Sequence, residues 1–165
     1  MNNFDERFKG TIFDPAFNLK SLIAKYRKHG KIIVAYDFDD TVYVSDEQAS
    51  DEACALIREL LVECSKYPDD IAMVCYTCRD GDTIKDEVIP FLDEHRIRYD
   101  KINENMDNVD DSNMSDKLVF SIFLDNLAGC GEAYSTLSRF IVWLMSEKGV
   151  ILDKSLSDRV HRLLE

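Results

Sequence analysis

The chain has 165 residues, 45% of them hydrophobic and 32% charged, with a formal net charge of −12. That apolar fraction can build an ordinary core and excludes wholesale disorder, while no apolar run approaches the roughly 20 residues of a membrane helix. The acidic balance opposes binding to long nucleic acid, and an anionic small substrate would need local positive charge from a metal or a few basic side chains.

In chain order, residues 1–17 lack a clear period and contain Gly10 and Pro15, which reads as an arm lying on the domain. Leu19, Leu22, Ile23 and Tyr26 recur at helical spacing over residues 18–29, closed by Gly30. A β-branched run at 31–36 predicts a buried strand and ends on a cluster of acids. Ala53, Leu56, Ile57, Leu60, Leu61 and Cys64 give residues 47–66 a helical period, which Pro68-Asp69-Asp70 breaks. Residues 71–76 predict a second strand, followed by Thr77-Cys78-Arg79-Asp80-Gly81. A helix is expected over 82–95, with Pro90 a kink. A short strand at 99–102, a polar loop at 103–116 and an apolar strand at 118–124 follow. That last strand ends at Asp125-Asn126, and two helices are expected near 131–148 and 153–164.

Strands alternating with helices predict one α/β domain spanning residues 1–165, with a mostly parallel sheet and its core at about 31–129. Ligands of such sheets bind outside the carboxyl ends of the strands. Three apolar strands here end on polar residues: Asp37 and Asp39, Thr77, and Asp125. Alternation points Asp37 and Asp39 to the same side, and with Asp125 they form a hard, oxygen-rich set suited to Mg²⁺. A lone Asp at a strand end is ordinarily a turn or cap residue; three acids at converging ends call for a cation.

The five cysteines, odd in number and irregularly spaced, do not form a disulfide framework. Cys75-Tyr76-Thr77-Cys78 closes an apolar strand, where a buried core Cys75 is favoured over redox or zinc chemistry. With no basic-then-apolar stretch at the start, a cytoplasmic protein without a membrane partner is expected.

Asp37-Phe38-Asp39-Asp40-Thr41, following an apolar strand, resembles the first motif of the haloacid dehalogenase-like (HAD) phosphohydrolases, D-x-D-x-[TV]. Thr77 resembles the second motif, Lys117 the third and Asp125 the fourth. The string Thr77-Cys78-Arg79-Asp80-Gly81, the later Asn103-Glu104-Asn105, and Lys117 eight residues before Asp125 are similar to a small bacterial and phage branch of that family.

This resemblance implies a three-layer Rossmann-like fold and hydrolysis of a phosphomonoester through an aspartyl-phosphate. Asp37 would be the nucleophile and Asp39 the general acid and base. Thr77 would donate to a phosphoryl oxygen, and Lys117 would hold Asp37, with Lys85 and Lys101 its rivals. Mg²⁺ would be held by Asp37, the carbonyl of Asp39, and Asp125. Phe38, Asp40, Thr41, Cys78 and Arg79 would flank the bound phosphate, although a surface salt bridge is an equal reading of Arg79. Asn126 stands where many relatives have a second acid, and Asp40 where glycine is frequent.

The stretches between motifs leave room for no cap or a minimal one, so an open site accepting a small-molecule or nucleotide phosphoester is expected. A receiver domain uses similar groups, but its Thr and Lys follow the phosphoacceptor Asp; here the last acid follows both. A calcium loop starting at Asp37 fails because its sixth position is Val42 and its twelfth Gln48. A catalytically silent binding module on the same fold is the other reading.

Overall fold

The computed structural model describes residues 10–11, 14–46, 49–107 and 118–150. Its first helix, α1 (Pro15–His29), starts three residues before the periodic pattern does. The Asp14 carboxylate accepts from the Ala16 N–H at 2.9 Å and from that of Gly10 at 2.8 Å, and Pro15 occupies the opening turn. An Asp cap followed by Pro is a strong helix start, so the end of the expected arm is helix. Gly30, at φ 71°, closes it by donating to the Tyr26 carbonyl.

Strand β1 (Ile32–Asp37) includes Asp37 within the ladder. Helix α2 (Asp51–Ser65) begins later than its apolar period suggested, because Ser50 caps it through the Ala53 N–H at 3.2 Å. Strand β2 (Ile71–Tyr76) is buried throughout.

The next helical segment comprises α3 (Gly81–Thr83), a π-helical turn (Ile84–Val88) and α4 (Ile89–Glu94). The expected Pro90 kink takes the form of that π turn. Proline has no N–H to give and crowds the carbonyl four residues back; immediately before it, the Ile89 N–H reaches the Ile84 carbonyl, five residues away.

Strand β3 (Lys101–Ile102) is shorter than expected because the Asp100 carboxylate takes the Met73 N–H at 2.7 Å in place of a backbone acceptor. Strand β4 (Ile122–Leu124) is also cut short. Ser121 already turns its hydroxyl to the Ile33 N–H at 3.1 Å, while Leu118 and Phe120 are exposed. Helix α5 (Cys130–Glu147) ends the described chain, and the expected helix at 153–164 lies outside the described residues.

The four strands form an all-parallel sheet in the order β3-β2-β1-β4, giving an α/β architecture compatible with a Rossmann-like fold. Alternation divides the strand residues. Ile32, Val34, Tyr36 and Phe38, with Ile71, Met73 and Cys75, pack with buried residues of α1, α2, α4 and α5 in the main core. Ala35, Val74 and Tyr76 form a smaller cluster with Ile33, Met106 and Phe123. Among the described residues no helix is long and apolar enough to cross a membrane.

Candidate functional site

Strand register brings the three polar endings together. Asp37 pairs with Tyr76, the residue before Thr77, and Tyr36 pairs with Leu124, the residue before Asp125. The carboxyl ends of β1, β2 and β4 therefore finish level, with β1 between the other two.

A tight loop follows β1. The Val42 and Tyr43 N–H groups both donate to the Phe38 carbonyl, at 3.0 and 2.9 Å, and the Asp40 N–H donates to the Tyr43 carbonyl at 2.6 Å. Asp40 makes this turn at φ 56°, a left-handed conformation that Asp tolerates better than most residues. Its carboxylate accepts from the Ser45 N–H and hydroxyl and the Asp46 N–H at 2.9–3.0 Å, and these bonds hold its carboxyl below the usual range. In this arrangement the Asp40 side chain braces the loop.

Thr41 is fully buried. Its hydroxyl donates to Asp37 Oδ2 at 3.2 Å and accepts the Asn126 N–H at 3.0 Å, joining the ends of β1 and β4 through one oxygen. The Thr41 and Phe38 side chains, both sealed from solvent, support the loop from inside; any contact of Phe38 with a ligand falls to its backbone.

Asp37 is half-buried, and its carboxyl is pushed up to about 6. Desolvation is the largest cause; the Phe38 N–H and Thr41 hydroxyl oppose it, and the charges of Asp125 and Asp39 add to it. An acid raised by burial and by two neighbouring acids suits a cation. Asp125 is anchored separately, its Oδ1 accepting the Leu127 N–H at 2.7 Å.

Among the described residues, no group of three or more His, Cys, Asp or Glu has the spacing to hold a metal. The adjacent ends of β1 and β4 offer two carboxylates, Asp37 and Asp125, and Mg²⁺ takes one or two carboxylates and retains waters.

Thr77 is held by Asn103, a residue to which the motif pattern assigns no role. Asn103 Oδ1 accepts the Thr77 N–H and its Nδ2 donates to the Thr77 carbonyl, both at 2.8 Å. Asn103 sits at φ 55° just after β3; an Asn directly after a short apolar run was the available signal. Thr77 Oγ1 accepts the Arg79 N–H at 3.2 Å, a bond that does not use the hydroxyl proton.

Arg79 reaches across to Asp39. Its Nη2 lies 2.6 Å from Asp39 Oδ1, and its Nε lies 3.2 Å from both carboxylate oxygens. Its Nη1 donates to Glu87 Oε2. The guanidinium carbon sits 4.9 Å from the ring centres of both Phe38 and Tyr43, which are stacked 5.3 Å apart. Phe91 meets both rings edge-on. Arg79 is thus an ion-paired residue of the site itself.

Cys78 is exposed, and Cys75 is buried as expected, its thiol pushed up by desolvation. Both are unbridged. Lys85 lies on the π turn, and Lys101 pairs with Asp107 at 3.2 Å. Lys117 lies outside the described residues.

Comparison with protein-family models, curated proteins and solved structures finds no match for this chain.

Proposed function

We propose that this chain is a HAD-like, Mg²⁺-dependent phosphomonoesterase with Asp37 as nucleophile. The reading is supported chiefly by the level finish of three strand ends, with Thr41 tying Asp37 to the backbone beyond Asp125. Motif order along the chain agrees with it.

In the proposed reaction a carboxylate oxygen of Asp37 attacks phosphorus, and the bond from phosphorus to the ester oxygen breaks. Asp39 gives its proton to the departing oxygen. It then takes a proton from water, whose oxygen attacks phosphorus and releases Asp37 and inorganic phosphate. Thr77, fixed by Asn103, donates its hydroxyl proton to a phosphoryl oxygen. Mg²⁺ held by Asp37, the Asp39 carbonyl and Asp125 would neutralise charge on the phosphoryl oxygens.

Asp39 accepts from Arg79 through both oxygens in this structure. For Asp39 to reach the ester oxygen, Arg79 must release it and give the same donors to the incoming phosphoryl group, a preferred partner for a guanidinium. The site then exchanges one anion for another around a fixed cation. The test is Mg²⁺-dependent release of phosphate from p-nitrophenyl phosphate and from a panel of nucleotides. Turnover that vanishes in Asp37→Asn and on chelation supports the reading. Purified protein inert across the panel with Mg²⁺ overturns it in favour of a binding module.

A further inference from the structure

We infer that Glu87, on the π-helical turn, is the positioning residue that keeps Arg79 aimed at the site when a phosphoryl group takes Asp39's place. This deepens the phosphohydrolase reading and rests on it for the identity of the incoming group.

Arg79 has two carboxylate partners with different consequences. Asp39 lies at the reacting end, and its pairing must break for Asp39 to act. Glu87 binds the guanidinium through Nη1, away from the nitrogens Nε and Nη2 that face Asp39. Once Asp39 is released, the guanidinium retains Glu87 on one edge and the Phe38 and Tyr43 rings beside it. Those contacts leave Nε and Nη2 pointing to where Asp39 had been. Without Glu87, only the rings would resist a long, flexible side chain turning away.

The helix is built to present Glu87 here. Ile84, Val88, Phe91 and Leu92 face the core, and Phe91 meets the two rings that Arg79 overlies. Glu87 lies within the π turn itself, and its carboxylate accepts from Arg79 Nη1. A π turn carries one residue more than an α-helical turn, so side chains within it depart from the α-helical positions. The turn ahead of Pro90 therefore sets the direction from which Glu87 approaches Arg79.

Stability does not explain the pair. The Glu87 side chain is 59% exposed, and exposed ion pairs add little to folding. Its consequence is directional.

The experiment measures binding of inorganic phosphate, with Mg²⁺ present, by calorimetry on wild type, Glu87→Gln, Glu87→Ala and Arg79→Ala, and steady-state kinetics on the same proteins. Glu87→Ala is expected to weaken phosphate binding and raise KM about tenfold, with Glu87→Gln intermediate. kcat should move much less, and the melting temperature should hold. In an Arg79→Ala background, Glu87→Ala should have no further effect, because its influence passes through the guanidinium. Equal phosphate affinity in wild type and Glu87→Ala overturns the inference, as does an undiminished Glu87→Ala effect without Arg79. If the wild type hydrolyses nothing but binds phosphate through this pair, the hydrolase reading fails and Glu87's role stands. If the wild type binds no phosphate, the inference fails too.

Discussion

The two ends of the central strands treat a carboxylate in opposite ways. At the amino end, just before β2, Asp70 is 6% exposed and fully partnered. It accepts from the Tyr26 hydroxyl at 2.6 Å and from Lys148 Nζ at 2.9 Å, tying α1 and the end of α5 to the sheet. The Tyr26 hydroxyl is pushed up to about 12, first by that hydrogen bond. At the carboxyl end, Asp37 is half-buried beside two further acids and is pushed up to about 6. Asp70 is neutralised by an ion pair, whereas at the carboxyl end Arg79 takes Asp39 and no ion pair among the described residues reaches Asp37 or Asp125. That contrast marks Asp37 as the candidate for function where burial would not, since Asp70 is the more buried of the two.

Three substitutions test this contrast, and Asp37→Asn does so twice, through turnover and through stability. Asp37→Asn should lower phosphoester turnover by about 10³-fold or more, because it removes the proposed nucleophile. Phosphate release under saturating substrate measures this. Asp70→Asn should do the reverse: it should cost about 2–3 kcal/mol of stability, somewhat under the ~3–5 kcal/mol of a fully buried broken pair because Lys148 is partly exposed. Below its lowered melting temperature, its turnover per folded molecule should match wild type; a large loss there would erase the distinction between the ends.

Thr41→Val keeps the shape of the side chain but strands the Asn126 N–H and removes a donor from Asp37. A cost of about 1–3 kcal/mol is expected, together with a fall in turnover. Denaturant melts and kinetics on one preparation separate the two effects.

The smallest effect is the most diagnostic. Asp37's folded-state pKa lies above its unfolded value. Its contribution to stability is therefore fully present at pH below about 4 and is lost as pH rises through about 6. Replacing it by Asn, without added divalent cation, should stabilise the protein at pH 7.5 by about 1–2 kcal/mol, discounted for its half exposure. Asp70→Asn should only destabilise. Thermal melts at pH 4.5 and 7.5 check this: the Asp37→Asn gain should shrink at the lower pH.

The sheet was largely legible in the sequence. Its strands are runs of Ile, Val and Ala with polar endings, and alternation predicted that Asp37, Thr77 and Asp125 converge. Element ends were less legible, because side chains decided them. Asp14 and Ser50 moved helix starts, and Asp100 and Ser121 displaced backbone partners and shortened strands. Within the candidate site, single residue types could be read, but pairings between distant segments could not. Nothing near Thr77 announces that Asn103 holds it, and nothing near Arg79 announces Glu87, whose direction depends on a π turn. Thr41 was readable as part of a motif, but its bridge to Asn126 depends on strand register.

A phosphoryl bond to Asp37 can be looked for chemically. Protein mixed with Mg²⁺ and a turned-over phosphoester is quenched in acid within one turnover, digested, and mapped by mass spectrometry. A single phosphoryl group is expected on the peptide containing Asp37, absent from Asp37→Asn. A phosphoryl group on another residue, or full turnover in Asp37→Asn, would contradict it.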